Sequence, residues 1–112
     1  MAVRIELKAD RSTIRADGQD LSFVTVRLLD SRGHLVRAGA NPSLTFTVTG
    51  AGTLAGLDNG DPTNHESFKG TEHRAFNGLA LAILRSSRRP GDVTLHVDAE
   101  GLRPATIAVA AR

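Results

Sequence analysis

A chain of 112 residues, 40% of them apolar, can fill one core but not two, so the sequence predicts a single folded domain over residues 1–112. Its 14 basic residues face 12 acidic ones, and only Arg88 and Arg89 are adjacent, so the clustered cations that track phosphates are missing despite a pI of 9.9. No nucleic-acid partner is expected; the lack of cysteine excludes disulfides and thiolate metal sites, and the longest apolar run, Leu79 to Leu84, falls far short of the ~20 residues of a membrane span.

Val3, Ile5 and Leu7 alternate with Arg4, Glu6 and Lys8, the period-2 pattern of a strand with one buried face. Nothing before Val3 reads as a basic and then apolar leader, so no signal peptide is expected in this stretch. Asp17-Gly18 marks a turn, and Leu21 to Asp30 follows as a strand with Val24, Val26 and Leu28 inward and Thr25 and Arg27 outward. Asp30-Ser31-Arg32-Gly33 reads as a turn in which Asp bonds its own backbone and Gly takes positive φ. Leu35-Val36 is a short edge piece closed by Asn41-Pro42. Leu44, Phe46 and Val48 alternate with Thr45 and Thr47 until Gly50-Ala51-Gly52 breaks the strand, and Thr53 to Leu57 is a further short one.

From Gly56 to Asn77 the pattern stops in a polar stretch whose large apolar side chains beyond Leu57 are Phe68 and Phe76. Leu79 to Arg85 fits helical spacing through Phe76, Leu79, Ala80, Ile83 and Leu84, but Asn77-Gly78 and Pro90-Gly91 bound a segment of strand length. With strands on every side, the strand is preferred. Val93, Leu95, Val97 and Ala99 then alternate with polar residues, Glu100-Gly101 turns the chain, and Ala105, Ile107 and Val109 form the last strand. Such spacing predicts an all-β, immunoglobulin-like sandwich of about seven or eight antiparallel strands in two sheets.

The polar stretch offers the residues from which chemistry could be assembled. Asp58 with Asp61, or Glu66 with Glu72, would be carboxylate pairs, but they sit where little apolar surface could raise one pKa. His65 and His73 with Asp58 and Asp61 could gather round a cation, whereas Asp58-Asn59-Gly60 and Asp61-Pro62-Thr63 read equally as Asx turns. The sequence predicts no cofactor and no metal. Its serines lack a nucleophile-elbow context, and without Trp or Tyr it has no aromatic platform for a pyranose face.

The run Gly50-Ala51-Gly52-Thr53-Leu54, then Leu57-Asp58-Asn59-Gly60-Asp61-Pro62-Thr63, Glu66-Ser67-Phe68-Lys69-Gly70 and Arg74-Ala75-Phe76-Asn77-Gly78, resembles the C-terminal immunoglobulin-like domain of family 2 glycoside hydrolases, β-galactosidases and their relatives. Ala16-Asp17-Gly18, Phe23-Val24-Thr25-Val26 and Pro90-Gly91 are similar to the same domain and also to adhesin-type repeats. The resemblance implies an accessory part of a hydrolase whose catalytic glutamates lie in a separate barrel domain, so no catalytic residue carries over. Its implied partners are the other domains of that parent enzyme, with carbohydrate contact only in their company. An adhesin repeat or a weak carbohydrate-binding module is the alternative, and the compartment, cytoplasmic, periplasmic or secreted, is that of the parent. In this setting Asp58, Asn59, Asp61, Pro62, Asn64, His65 and Glu66 form a candidate docking loop, pinned to one end of the sandwich by Phe68 and Phe76.

Overall fold

The alternation of Val24, Val26 and Leu28 with Thr25 and Arg27 becomes the longest strand, Leu21–Leu29, with the first three side chains fully buried. It belongs to a computed structural model that describes residues 2–36, 42–58, 72–75 and 78–112. Among the described residues there are strands only: β1 (Arg4–Ala9), β2 (Thr13–Ile14), β3 (Leu21–Leu29), β4 (Ser43–Gly50), β5 (Gly52–Asp58), β6 (Glu72–Arg74), β7 (Leu79–Ser86), β8 (Gly91–Asp98) and β9 (Ala105–Ala111). One sheet has the order β1-β3-β7-β5 and the other β2-β9-β8-β4-β6.

The two sheets close on one aliphatic core. Val24, Val26, Leu28 and Leu84 meet Leu44, Phe46, Val93, Leu95, Val97 and Val109, all fully or almost fully buried. At roughly 1.5–3 kcal/mol for each such side chain withdrawn from water, aliphatic burial alone sustains the sandwich, and no disulfide is needed. The chain changes sheets between β4 and β5 at Gly50-Ala51-Gly52. Gly50 has φ 91°, and a Cβ there would run into the carbonyl oxygen of Asp92. Only glycine lets the backbone approach that closely.

Four details differ from the sequence reading. Pairing is not uniformly antiparallel, because β2 runs parallel to β9. β2 itself carries no periodic signal in its two residues; it exists because the chain leaves the first sheet after Ala9 and is redirected at Asp10. There the Asp10 carboxylate accepts the Phe23 N–H at 2.8 Å while the Asp10 N–H donates to the Phe23 carbonyl at 2.9 Å. The stretch expected to lack pattern from Gly56 to Asn77 holds the end of β5 and the short β6, which pairs with the start of β4 through Ser43↔Arg74. Val3 is 41% exposed rather than inward, because it precedes the first strand instead of belonging to it.

The two ends of the sandwich have different content. β1, β4, β7 and β9 begin at one end, and β3, β5 and β8 finish there, as the registers Arg4↔Leu29, Asp58↔Leu81, Thr45↔Asp98 and Val97↔Ala105 require. The sheets are tied at this end by a parallel bridge between Arg4 and Arg103. Arg112 lies at the opposite end, where its N–H donates to the Ile14 carbonyl and its own carbonyl accepts from Ala16.

Candidate interaction surface

Three arginines converge at the end where β1 begins. The bridge that ties the sheets is built from an Arg103 N–H donating to the Val3 carbonyl at 2.9 Å and an Ile5 N–H donating to the Arg103 carbonyl at 3.2 Å. It sets Arg4 and Arg103 side by side on the two sheets. The turn after β3 contributes Arg32. Here the carboxylate of Asp30 accepts the N–H groups of Arg32 and His34, both at 2.9 Å, and the Gly33 N–H donates to the Asp30 carbonyl at 3.0 Å. Those amides, His34 first, hold the Asp30 carboxyl below the usual carboxylate range. Gly33 takes φ 84°, and a Cβ on it would stand 3.2 Å from the Arg4 guanidinium, so the glycine also leaves room for that side chain over the turn. The expected Asp-Ser-Arg-Gly turn is therefore present, and it shapes one wall of a cleft.

That cleft has a volume of about 400 Å3 and is lined by Val3, Arg4, Ser31, Arg32 and Arg103. All five are exposed. Among the described residues, no carboxylate forms an ion pair with any of the three arginines, whereas Arg27 pairs with Glu6 at 2.9 Å and Arg11 with Asp20 at 2.6 Å. A second cavity of about 370 Å3 lies between β4 and β5, lined by Thr45 to Val48 and Gly52 to Leu54, and has no charged wall. The chemistry the first cleft offers is recognition of anionic groups by guanidinium forks, beside one apolar side chain.

The candidate docking loop lies almost wholly beyond this description. Asp58 is the last residue of β5, paired with Leu81. Asn59, Asp61, Pro62, Asn64, His65, Glu66, Phe68 and Phe76 fall outside the described residues. The strands that carry the ends of that stretch, β5 at Asp58 and β6 at Glu72, are nevertheless fixed at the arginine-lined end. Sequence reasoning missed the arginines because Arg4, Arg32 and Arg103 are far apart in the chain; only the bridge across the sheets unites them. Of the candidate cation ligands, His73 falls on β6 opposite Leu44; the remaining histidines lie apart, His96 on β8 with its Nδ1 2.8 Å from the Thr106 hydroxyl and His34 exposed after the Asp30 turn. Among the described residues, no three His, Asp or Glu side chains gather as a metal set would.

Residues 5–108 match the family described as glycoside hydrolase family 2 C-terminal domain 5. The chain belongs to that family. Beta-galactosidase BoGH2A of Bacteroides ovatus is 43% identical over 107 residues, which make up 96% of this chain and 12% of that protein. A glycosyl hydrolase family 2 member from Bacteroides cellulosilyticus superposes with a TM-score of 0.96 at 31% identity, over 100% of this chain and 14% of its own. The adhesin InvE of Yersinia pseudotuberculosis has the fold less closely, with a TM-score of 0.58 at 29% identity over 94% of this chain and 26% of its own. The family 2 C-terminal domain thus spans about one eighth of the relatives it matches, as its 12% and 14% shares state.

Proposed function

We propose that this chain is a single accessory domain, the non-catalytic C-terminal module of a β-galactosidase-like family 2 glycoside hydrolase, and that it packs against and supports the catalytic barrel of the same polypeptide. The observation that carries this reading is the pairing of near-complete coverage of this chain with a 12% share of the relative. A domain that recurs at such a small share of a hydrolase takes its function from the rest of that chain. The polar stretch from Asp58 to Glu66 is one docking element in this reading, and sugars reach the module only through the parent.

An antibody raised against this chain tests the proposal in an extract of the source organism. It is expected to detect a polypeptide several times larger than 11.9 kDa that co-purifies with glycosidase activity. A band of the module's own mass, or a protein made of tandem copies of it without that activity, would overturn the reading in favour of a free-standing or adhesin-type domain.

A further inference from the structure

We propose that the cleft of Arg4, Arg32 and Arg103 docks a carboxylate-bearing surface of the domain preceding this one in the parent chain. The inference rests on the reading of this chain as a C-terminal module and assigns that module its contact face. Topology gives the direction. Family 2 C-terminal domain 5 follows other domains, so the rest of the polypeptide reaches it through the segment before β1. That segment enters at Val3, whose backbone is clamped between the Leu29 carbonyl, which accepts its N–H at 2.8 Å, and the Arg103 N–H, which donates to its carbonyl at 2.9 Å. Val3 and Arg4 also line the cleft. The surface closest to the preceding domain is therefore the one that gathers the arginines, while Arg112 leaves at the far end.

The chemistry supplies the partner's character. Like charges placed together on one small surface repel, and among the described residues the nearby Asp30 does not relieve this, its carboxylate being engaged by the amides of its own turn. A facing row of Asp or Glu side chains would relieve the repulsion and accept paired N–H bonds from the guanidinium forks. Val3, 41% exposed beside the charges, gives the contact an apolar element that leaves water on docking. The cleft is open and every lining residue is exposed, which suits a protein surface better than an enclosing site for a small anion.

Carbodiimide coupling in the full-length parent tests the assignment. Arg4→Lys, Arg32→Lys and Arg103→Lys together keep the charge and supply amines that condense with any carboxylate in contact. Peptide mapping is expected to find amide links from at least two of these positions to Asp or Glu of the preceding domains, reduced several-fold in ~1 M salt, where charges are screened beyond about 3 Å. In the unsubstituted parent, phenylglyoxal is expected to modify these arginines several-fold more slowly than Arg88 and Arg89, which are exposed at the opposite end. Equal rates, or links confined to this module's own carboxylates, would overturn the inference. Links to the preceding domains from Lys8 alone would place docking on the outer face of the first sheet, sinking this assignment while leaving the module reading intact. No link from any position would likewise overturn this assignment but not the module reading, whose other docking element, Asp58 to Glu66, carries no amine.

Discussion

The carboxylate of Asp20 is the most heavily engaged side chain on the described surface. It accepts both terminal nitrogens of Arg11, at 2.6 and 2.9 Å, and the N–H groups of Arg15 at 2.8 Å and Leu21 at 3.1 Å. The Arg11 guanidinium first, and then these amides, hold its carboxyl far below the usual range. Asp17 is lowered by the amides of Gln19 and Asp20, and Asp30 by those of His34 and Arg32. Each of these groups has a folded pKa depressed below its unfolded value. The stability they contribute is therefore present above 3.8, the ordinary aspartate value, and is lost as pH falls through the folded values. The thermal midpoint should stay level from neutral pH down to that region and drop beneath it. Asp20→Asn keeps the shape but not the charge, so it should lower the midpoint at pH 7 and flatten the acid limb. An unchanged acid limb in the variant would show that Asp20 is not a source of the pH dependence. Solvent reaches all three carboxylates, so each contribution is modest.

Strand β7 shows at the scale of an element why burial rather than periodicity decides a substitution. Ala80, Ala82, Leu84 and Ser86 point into the sandwich and are buried, while Leu79, Leu81 and Ile83 on the outer face are half-buried. Leu84→Ala should cost about 2–5 kcal/mol, the usual range for opening a cavity in a packed core. Two positions along, Ser86 buries a hydroxyl that has no hydrogen-bond partner among the described residues. Ser86→Ala should therefore be neutral or stabilising by up to about 1 kcal/mol, since no bond is lost and a desolvated group is removed. Denaturant midpoints of the two variants check the pair, and a Ser86→Ala loss as large as that of Leu84→Ala would reveal a bond the structure lacks. The same strand explains what was legible beforehand. β4 and β8 have a polar outer row, and β3 has Thr25 and Arg27 between its inward Val24, Val26 and Leu28, so their alternation read directly from sequence. β7 is flanked on both sides, by β3 and β5, and is apolar on both faces, which blurs its period into an apparent helical spacing. Asn77-Gly78 and Pro90-Gly91 settled it by length. β2 and β6 span two and three residues, too few for any period, and both follow from pairing partners that only the folded chain supplies. The arginine cleft was illegible for the same reason. Its members sit on β1, on a turn and before β9, and nothing local in the sequence links them.

For the molecule as a whole, the acidic residues bear on what the isolated chain can catalyse. Glycoside hydrolysis requires two carboxyl groups across a cleft, about 5–5.5 Å apart for retention or roughly 6.5–9.5 Å for inversion, one of them kept protonated by a raised pKa. Five of the described carboxylates are committed elsewhere, Glu6 to Arg27, Asp10 to the Phe23 amide, Asp17 and Asp30 to the amides of their own turns, and Asp20 to Arg11, while Asp92, Asp98 and Glu100 are exposed to water and line neither cavity. The shifts of Asp17, Asp20 and Asp30 run downward, opposite to what a general acid needs. Neither described cavity has a carboxylate in its wall; one is lined by arginines and the other by threonines and apolar groups. The carboxylates from Asp58 to Glu72 lie on a polar stretch with few large apolar side chains to raise a pKa. The purified chain should therefore turn over none of nitrophenyl galactoside, glucuronide or mannoside, even at micromolar protein and long incubation. A rate that tracks the protein through purification and disappears with a single Asp→Asn or Glu→Gln substitution would sink this, and would locate a catalytic carboxylate inside the module itself.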